Sequence, residues 1–143
     1  MAFTGSTLTL SFLEESLKAV HNFSSDTFKL ALYSNSASLT SATTAYTATG
    51  EVSHASYTAG GNALTTSVLS DSQTMTAYVH IADLTFATLT ATVRGAMIYN
   101  SSKSNKAVAI LDFGQDITKT AADLVIHFPA SGPTTSLIRI KYA

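Results

Sequence analysis

Any chemistry done by this chain would have to come from four histidines, nine acidic residues and eight Lys or Arg, because cysteine is absent. Without a thiol, there is no disulfide framework, no thiolate ligand and no cysteine nucleophile. The histidines are His21, His54, His80 and His127, and no two of them have the spacing of a helical zinc motif. Hydrolysis of a glycosidic bond needs two carboxylates facing each other across a cleft. The acids here are spread over other tasks. Glu14 and Glu15 fall in a helical stretch, while Asp71, Asp83, Asp116 and Asp123 fall where turns are expected. Asp112-Phe113-Gly114 spells the magnesium-binding triplet of protein kinases, but the glycine-rich loop, the strand lysine and the catalytic loop that give it meaning are missing. No nucleophile elbow or phosphate-cradling loop occurs. The expectation is a non-enzymatic protein without metal or cofactor.

One stretch remains, Tyr46 through Gly61. It is polar, rich in small residues and carries two aromatic anchors, Tyr46 and Tyr57. Between them stands Glu51, and a tight Gly60-Gly61 turn closes the segment. Tyrosine brings large contact area and a polar tip at low entropic cost, which enriches it at interfaces. Tyr46, Glu51, Tyr57, Gly60 and Gly61 are therefore the candidate interface, with Glu51 accepting hydrogen bonds from a neighbouring subunit. The plainer reading of Glu51 is an exposed turn residue. Tyr46-Thr47-Ala48-Thr49-Gly50 also echoes Tyr57-Thr58-Ala59-Gly60-Gly61, as two tyrosine-anchored turns of one loop would.

The elements that must position this loop follow from length and pattern. At 143 residues, one domain is expected. Residues 8–20 read as a helix from Leu10, Leu13, Leu17 and Val20, with Ser11-Phe12-Leu13-Glu14 as a capping box. From Thr27 the apolar period changes to two, so a β domain spans residues 27–143. Its strands are expected at residues 27–33, 63–69, 77–82, 85–90, 93–99, 107–113, 124–128 and 136–142. Phe28, Leu30 and Leu32 share one face of the first. Ile138, Ile140 and Tyr142 share one face of the last. Residues 34–61 form a long loop, which in a compact domain is usually functional or disordered. So many short strands, with no alternating helices, predict a mainly β fold: an antiparallel β-sandwich or barrel-like domain with one short N-terminal helix.

Composition excludes several partners. Only 12% of residues are charged and the net charge is -1, so no basic footprint for nucleic acid is present. No run approaches the length of a membrane-spanning helix, and no secretory leader is expected. Low charge also leaves a small protein poorly protected against association. The 19 Ser and 22 Thr would keep its surface wet without charge. A homo-oligomer or larger assembly is expected.

Several segments together resemble small virion-associated proteins of tailed bacteriophages. They are Phe28-Lys29-Leu30-Ala31-Leu32-Tyr33, the Tyr46–Gly61 stretch with its Gly-Glu-Val-Ser core, Arg94 through Asn100, Lys106 through Gly114, and Leu137 through Ile140. The chain departs from that group at His54 and Ala55, where glycine is usual. The resemblance implies a structural virion component. Within the group it is most like a capsid decoration, or cement, protein that binds the outer shell and bridges subunits of the major capsid protein, often as a homotrimer. It would be assembled in the host cytoplasm. Two alternatives stay open: a connector, tail or fibre-attachment component, and a β-sandwich module that binds carbohydrate or a host surface. Either the loop or the helix could supply the contact between subunits.

Overall fold

The computed structural model describes residues 3–142. Its elements are β1 (Thr7–Leu8), α1 (Leu10–Leu17), β2 (Phe28–Tyr33), β3 (Asn62–Ala63), β4 (Thr66–Asp71), β5 (Thr76–Ile81), β6 (Leu84–Asn100), β7 (Lys106–Ile126) and β8 (Arg139–Lys141). They form two antiparallel sheets, a five-stranded one in the order β1-β7-β6-β2-β3 and a three-stranded one in the order β4-β5-β8. The protein is mainly β with one short helix, as its apolar periods predict.

Three layers result. The large sheet is the middle one and is apolar on both faces. Alternation along β2 sends Phe28, Leu30 and Leu32 to one side and Ala31 and Tyr33 to the other, and all five are buried. The same holds on β6, where Ala96 and Ile98 oppose Met97 and Tyr99. One face packs on the small sheet and α1 through Val79, Ile81, Phe86, Leu124 and Ile138. The other is covered by the long 34–61 segment, whose Ala37 and Leu39 join Phe3, Met97, Tyr99 and Ile110. The expected half-buried strand 27–33 is thus a central strand buried on both sides. The loop is its second cover.

The expected strands at 85–90 and 93–99 are one strand, β6, and those at 107–113 and 124–128 are one strand, β7. The pair forms a long ribbon from Leu84↔Ile126 to Asn100↔Lys106. Irregular register near Leu89 and positive φ at Thr88 and Ala121 mark where it bends. Asp116 and Asp123 lie within β7, not at turns. Asp123 serves the bend, accepting the Thr88 N–H at 2.9 Å.

The helix is shorter than the expected 8–20 and differently capped. Thr9 is the N-cap, its hydroxyl accepting from the Phe12 N–H at 3.3 Å, in place of the expected Ser11 box. Thr9 also donates toward the Ala107 carbonyl, which ties the cap to β7. The expected apolar stripe points outward: Leu10 is 68%, Leu13 48% and Leu17 91% exposed. Phe12 is the side chain that α1 buries, against the rings of His21 and Phe23.

Candidate functional site

The long loop follows from the groups that fasten it. Its entry is pinned to β2 by Ser34 N–H to Gly50 O (2.9 Å) and Val52 N–H to Leu32 O (2.9 Å). Its middle is pinned to the β6–β7 turn by Tyr46 N–H to Asn105 O (2.8 Å) and Ala107 N–H to Thr44 O (3.0 Å). These bonds satisfy backbone groups that a covered segment must pair.

Inside that frame four of the five sequence-selected residues, Tyr46, Glu51, Tyr57 and Gly60, meet at one point, and Gly61 lies beside them against β2. The Glu51 carboxylate accepts from the Tyr46 hydroxyl (2.6 Å), the Tyr57 hydroxyl (2.7 Å) and the Gly60 N–H (2.7 Å). Tyr57 also accepts from the Leu32 N–H on β2 at 3.0 Å. Tyr99 donates to the Gly60 carbonyl at 2.7 Å and stacks on Tyr46 at 4.8 Å between centroids. Tyr33 donates to the Thr47 carbonyl at 2.6 Å. Gly61 passes so close to β2 that a Cβ would lie 1.8 Å from the Leu30 carbonyl oxygen, and its φ is +71°. The two echoed turns converge on one carboxylate, which gives the echo a physical meaning.

This placement differs from the expected presentation of Glu51 to a neighbouring subunit. The carboxylate is turned into its own loop, and Tyr57, Gly60 and Gly61 are buried. Between Tyr46 and Gly61 the residues exposed to solvent are Ala48, Thr49, Ser53, His54, Ala55, Ser56, Thr58 and Ala59. The aromatics that a glycan platform would need are likewise turned inward within this loop. Electrostatics agree with a closed network. Burial, then the Glu51 charge, pushes the Tyr33 hydroxyl well above the usual phenol range. Burial, then the hydrogen bond to Glu51, does the same for Tyr46. For Tyr57, burial and Glu51 outweigh the opposing Leu32 N–H.

A second polar cluster was not visible in the sequence. Glu15 on α1 pairs with Lys106 and, at 2.9 Å, with His21 Nε2. Asn100, fully buried, donates to Asp26 Oδ2 at 2.8 Å and lies 3.1 Å from His21 Nδ1. That geometry makes His21 Nδ1 an acceptor and Nε2 the protonated nitrogen that donates to Glu15. Burial raises the Glu15 pKa, but Lys106 and His21 outweigh it and hold it below the usual carboxylate range. The same balance, with Asn100 as the main opposing partner, lowers Asp26. The cluster joins α1, the segment after it and the β6–β7 turn. Its members lie at no common period, so no sequence signal marks it.

Two further histidine pairs lie outside these clusters. His127 Nδ1 lies 2.7 Å from Asp83 Oδ2. His80 Nδ1 meets the Ser131 hydroxyl. A Ser–His pair is the start of a nucleophilic site, but such a site needs a third group orienting the base. Among the described residues no carboxylate bonds to His80, and no group of three or more His, Asp or Glu could hold a metal ion. Asp112 is occupied by Arg94 (3.1 Å) and the Gly114 N–H (2.9 Å). No helix among the described residues is long and apolar enough to cross a membrane.

Compared with known proteins, the chain matches no family model, no curated protein and no solved structure.

Proposed function

We propose that this protein is a structural component of a tailed-phage virion that decorates the outer capsid and stabilises it by bridging subunits of the major capsid protein. The reading rests on the segment resemblance set out above. The observation that carries it is the Glu51 clamp. A long segment without regular secondary structure is held by an internal carboxylate, so its outer rim of short polar side chains is fixed before any partner arrives. Pre-organisation of this kind lowers the ordering cost of binding. The rim carries hydroxyls and one imidazole, which suits a wet, hydrogen-bonded contact on another protein.

On this reading the mechanism is physical. The protein binds a surface that exists only in the assembled shell, so each bound copy opposes disassembly by mass action. Weak single contacts gain from multivalency when copies associate, a trimer being the form that the resemblance implies. The test is the copy number and radial position of the protein in purified particles, by quantitative mass spectrometry and cryo-electron microscopy. On the order of hundreds of copies on the outer shell supports decoration. About six or twelve at one vertex moves the protein to the connector or tail. Absence from particles overturns the virion role.

A further inference from the structure

The three-stranded sheet is longer than the core beneath it. Its registers put Val68, Ala77, Val79, Ile81, Ile138 and Ile140 on one face. At one end of that face Val79, Ile81 and Ile138 are buried in the core. At the other end Val68 is 50% and Ile140 73% exposed. Met75 and Tyr142 extend the uncovered end, joined by Tyr142 N–H to Met75 O at 3.1 Å. Across from it, α1 presents Leu13 and Leu17. Between them lies an apolar groove of about 490 Å³, floored by Phe12 and Phe23.

We infer that this overhang is a self-association face, covered in solution by a second copy of the same chain. Three observations favour that occupant. The first is area. Leu13, Leu17, Val68, Met75, Ile140 and Tyr142 together expose the equivalent of about four whole side chains, roughly 600–700 Å², which exceeds the usual largest patch of a monomer and approaches the ~800 Å² per partner of a standard interface. The second is charge. A net charge of -1 does not oppose self-contact, Glu14 and Lys18 on the helix rim neutralise each other, and Arg139, the one charged residue lining the groove, donates to the Ser136 carbonyl at 2.8 Å. The groove thus has a single cation, already bonded within the chain, and no cluster of like charges to select an oppositely charged partner. The third is edge protection. The free edge of β7 beyond Asp112 carries Asp116, Lys119, Asp123 and two positive-φ breaks, at Gly114 and Ala121, which guard against pairing. The outer edge of β4 carries Val68 and Leu69 with no charge before Asp71. The chain guards one edge and leaves open the one beside its groove. This face is separate from the Glu51 loop and does not depend on the virion role.

The test is sedimentation equilibrium of the full chain at tens of micromolar, alone, for the wild type and the double variant Leu17→Glu/Ile140→Glu. The wild type is expected at a multiple of 15.0 kDa and the double variant at 15.0 kDa, with association weakened at least tenfold. Both side chains lie mostly outside the core, and far-ultraviolet circular dichroism verifies the fold. If the double variant does not fold, Leu17→Gln alone reads the same face. A wild-type monomer at every concentration overturns the inference, as does an oligomer indifferent to these changes. A monomer whose groove takes up an apolar dye or a phosphatidylcholine vesicle gives the face to a different occupant and also overturns it. None of these results bears on whether the protein is found in particles.

Discussion

Replacing Glu51 by alanine removes three acceptor contacts at 2.6–2.7 Å and strands three donors. They are not equivalent. The Tyr46 hydroxyl is half-buried and can turn to water. The Tyr57 hydroxyl and the Gly60 N–H belong to buried residues and cannot. Each buried unsatisfied donor costs about 1–3 kcal/mol. Freeing the glutamate side chain returns at most ~2 kcal/mol of rotamer entropy. The expected net loss for Glu51→Ala is about 3 kcal/mol, or roughly 6–12 °C in Tm for a chain of this size. Glu51→Gln keeps an oxygen for Tyr57 and Gly60, loses the charge and faces Tyr46 with a second donor, so about 1 kcal/mol is expected. Urea unfolding followed by circular dichroism gives both losses. Amide exchange at Gly60 gives the local effect, and its N–H should lose protection in the alanine variant. An alanine loss below about 1 kcal/mol, or equal losses for Gln and Ala, would refute the claim that this carboxylate holds the loop.

Gly61→Ala should be worse than either, about 4 kcal/mol or more, because the new Cβ would meet the Leu30 carbonyl of a central strand at a positive φ; a urea midpoint near wild type would contradict it. Ultraviolet titration should find Tyr33, Tyr46, Tyr57 and Tyr99 resisting ionisation, since burial first, and the Glu51 carboxylate after it, raise all four. The stability tied to these neutral phenols is full below about pH 10 and falls as pH rises above it, so they should ionise together with alkaline unfolding; independent early titration of all six tyrosines would contradict this. On the acid side the sign reverses. Glu15 and Asp26 are held below their usual values, so their contribution is full above the ordinary carboxylate range and is lost as pH falls through the depressed folded values, below about pH 4. Glu15→Gln should flatten the fall of stability between about pH 5 and pH 2, and an unchanged acid limb would count against the cluster.

Period-two patterning showed the strands because each β2 and β6 residue has its inward or outward sense fixed by its neighbours. It did not show that β6 and β7 run unbroken. Thr88 and Ala121 take positive φ inside the ribbon, and the polar residues around them read as turns. Helical spacing at Leu10, Leu13 and Leu17 was legible, but the spacing only says that three leucines share a side. Which side is covered depended on Phe12, His21 and Phe23 meeting beneath the helix. Tyr46, Glu51 and Tyr57 could be selected from residue type, and the structure brings all three together. Their inward sense could not be read, because an irregular segment has no period to separate inside from outside. The Glu15–His21–Asn100–Asp26 cluster is closed by contacts of Asn100 and Lys106 that span 74 to 91 positions, and local pattern has no access to them.

The pairing of β1 with β7 has a consequence for how the chain is made. Thr7 lies opposite Ile110 and Leu8 opposite Ala109, and Thr9 caps α1 while bonded to Ala107 and Val108. During synthesis Thr7 and Leu8 therefore have no strand to pair with until about a hundred further residues have been added. At ordinary elongation rates of about 5–20 residues per second, that wait is roughly 5–20 s. Phe3, which ends beside Met97 and Ile110 in the interior, lacks those neighbours throughout it. Nearly the whole β6–β7 ribbon must leave the ribosome before residues 7–9 can pair, so this short segment is among the last of the described residues to be fixed.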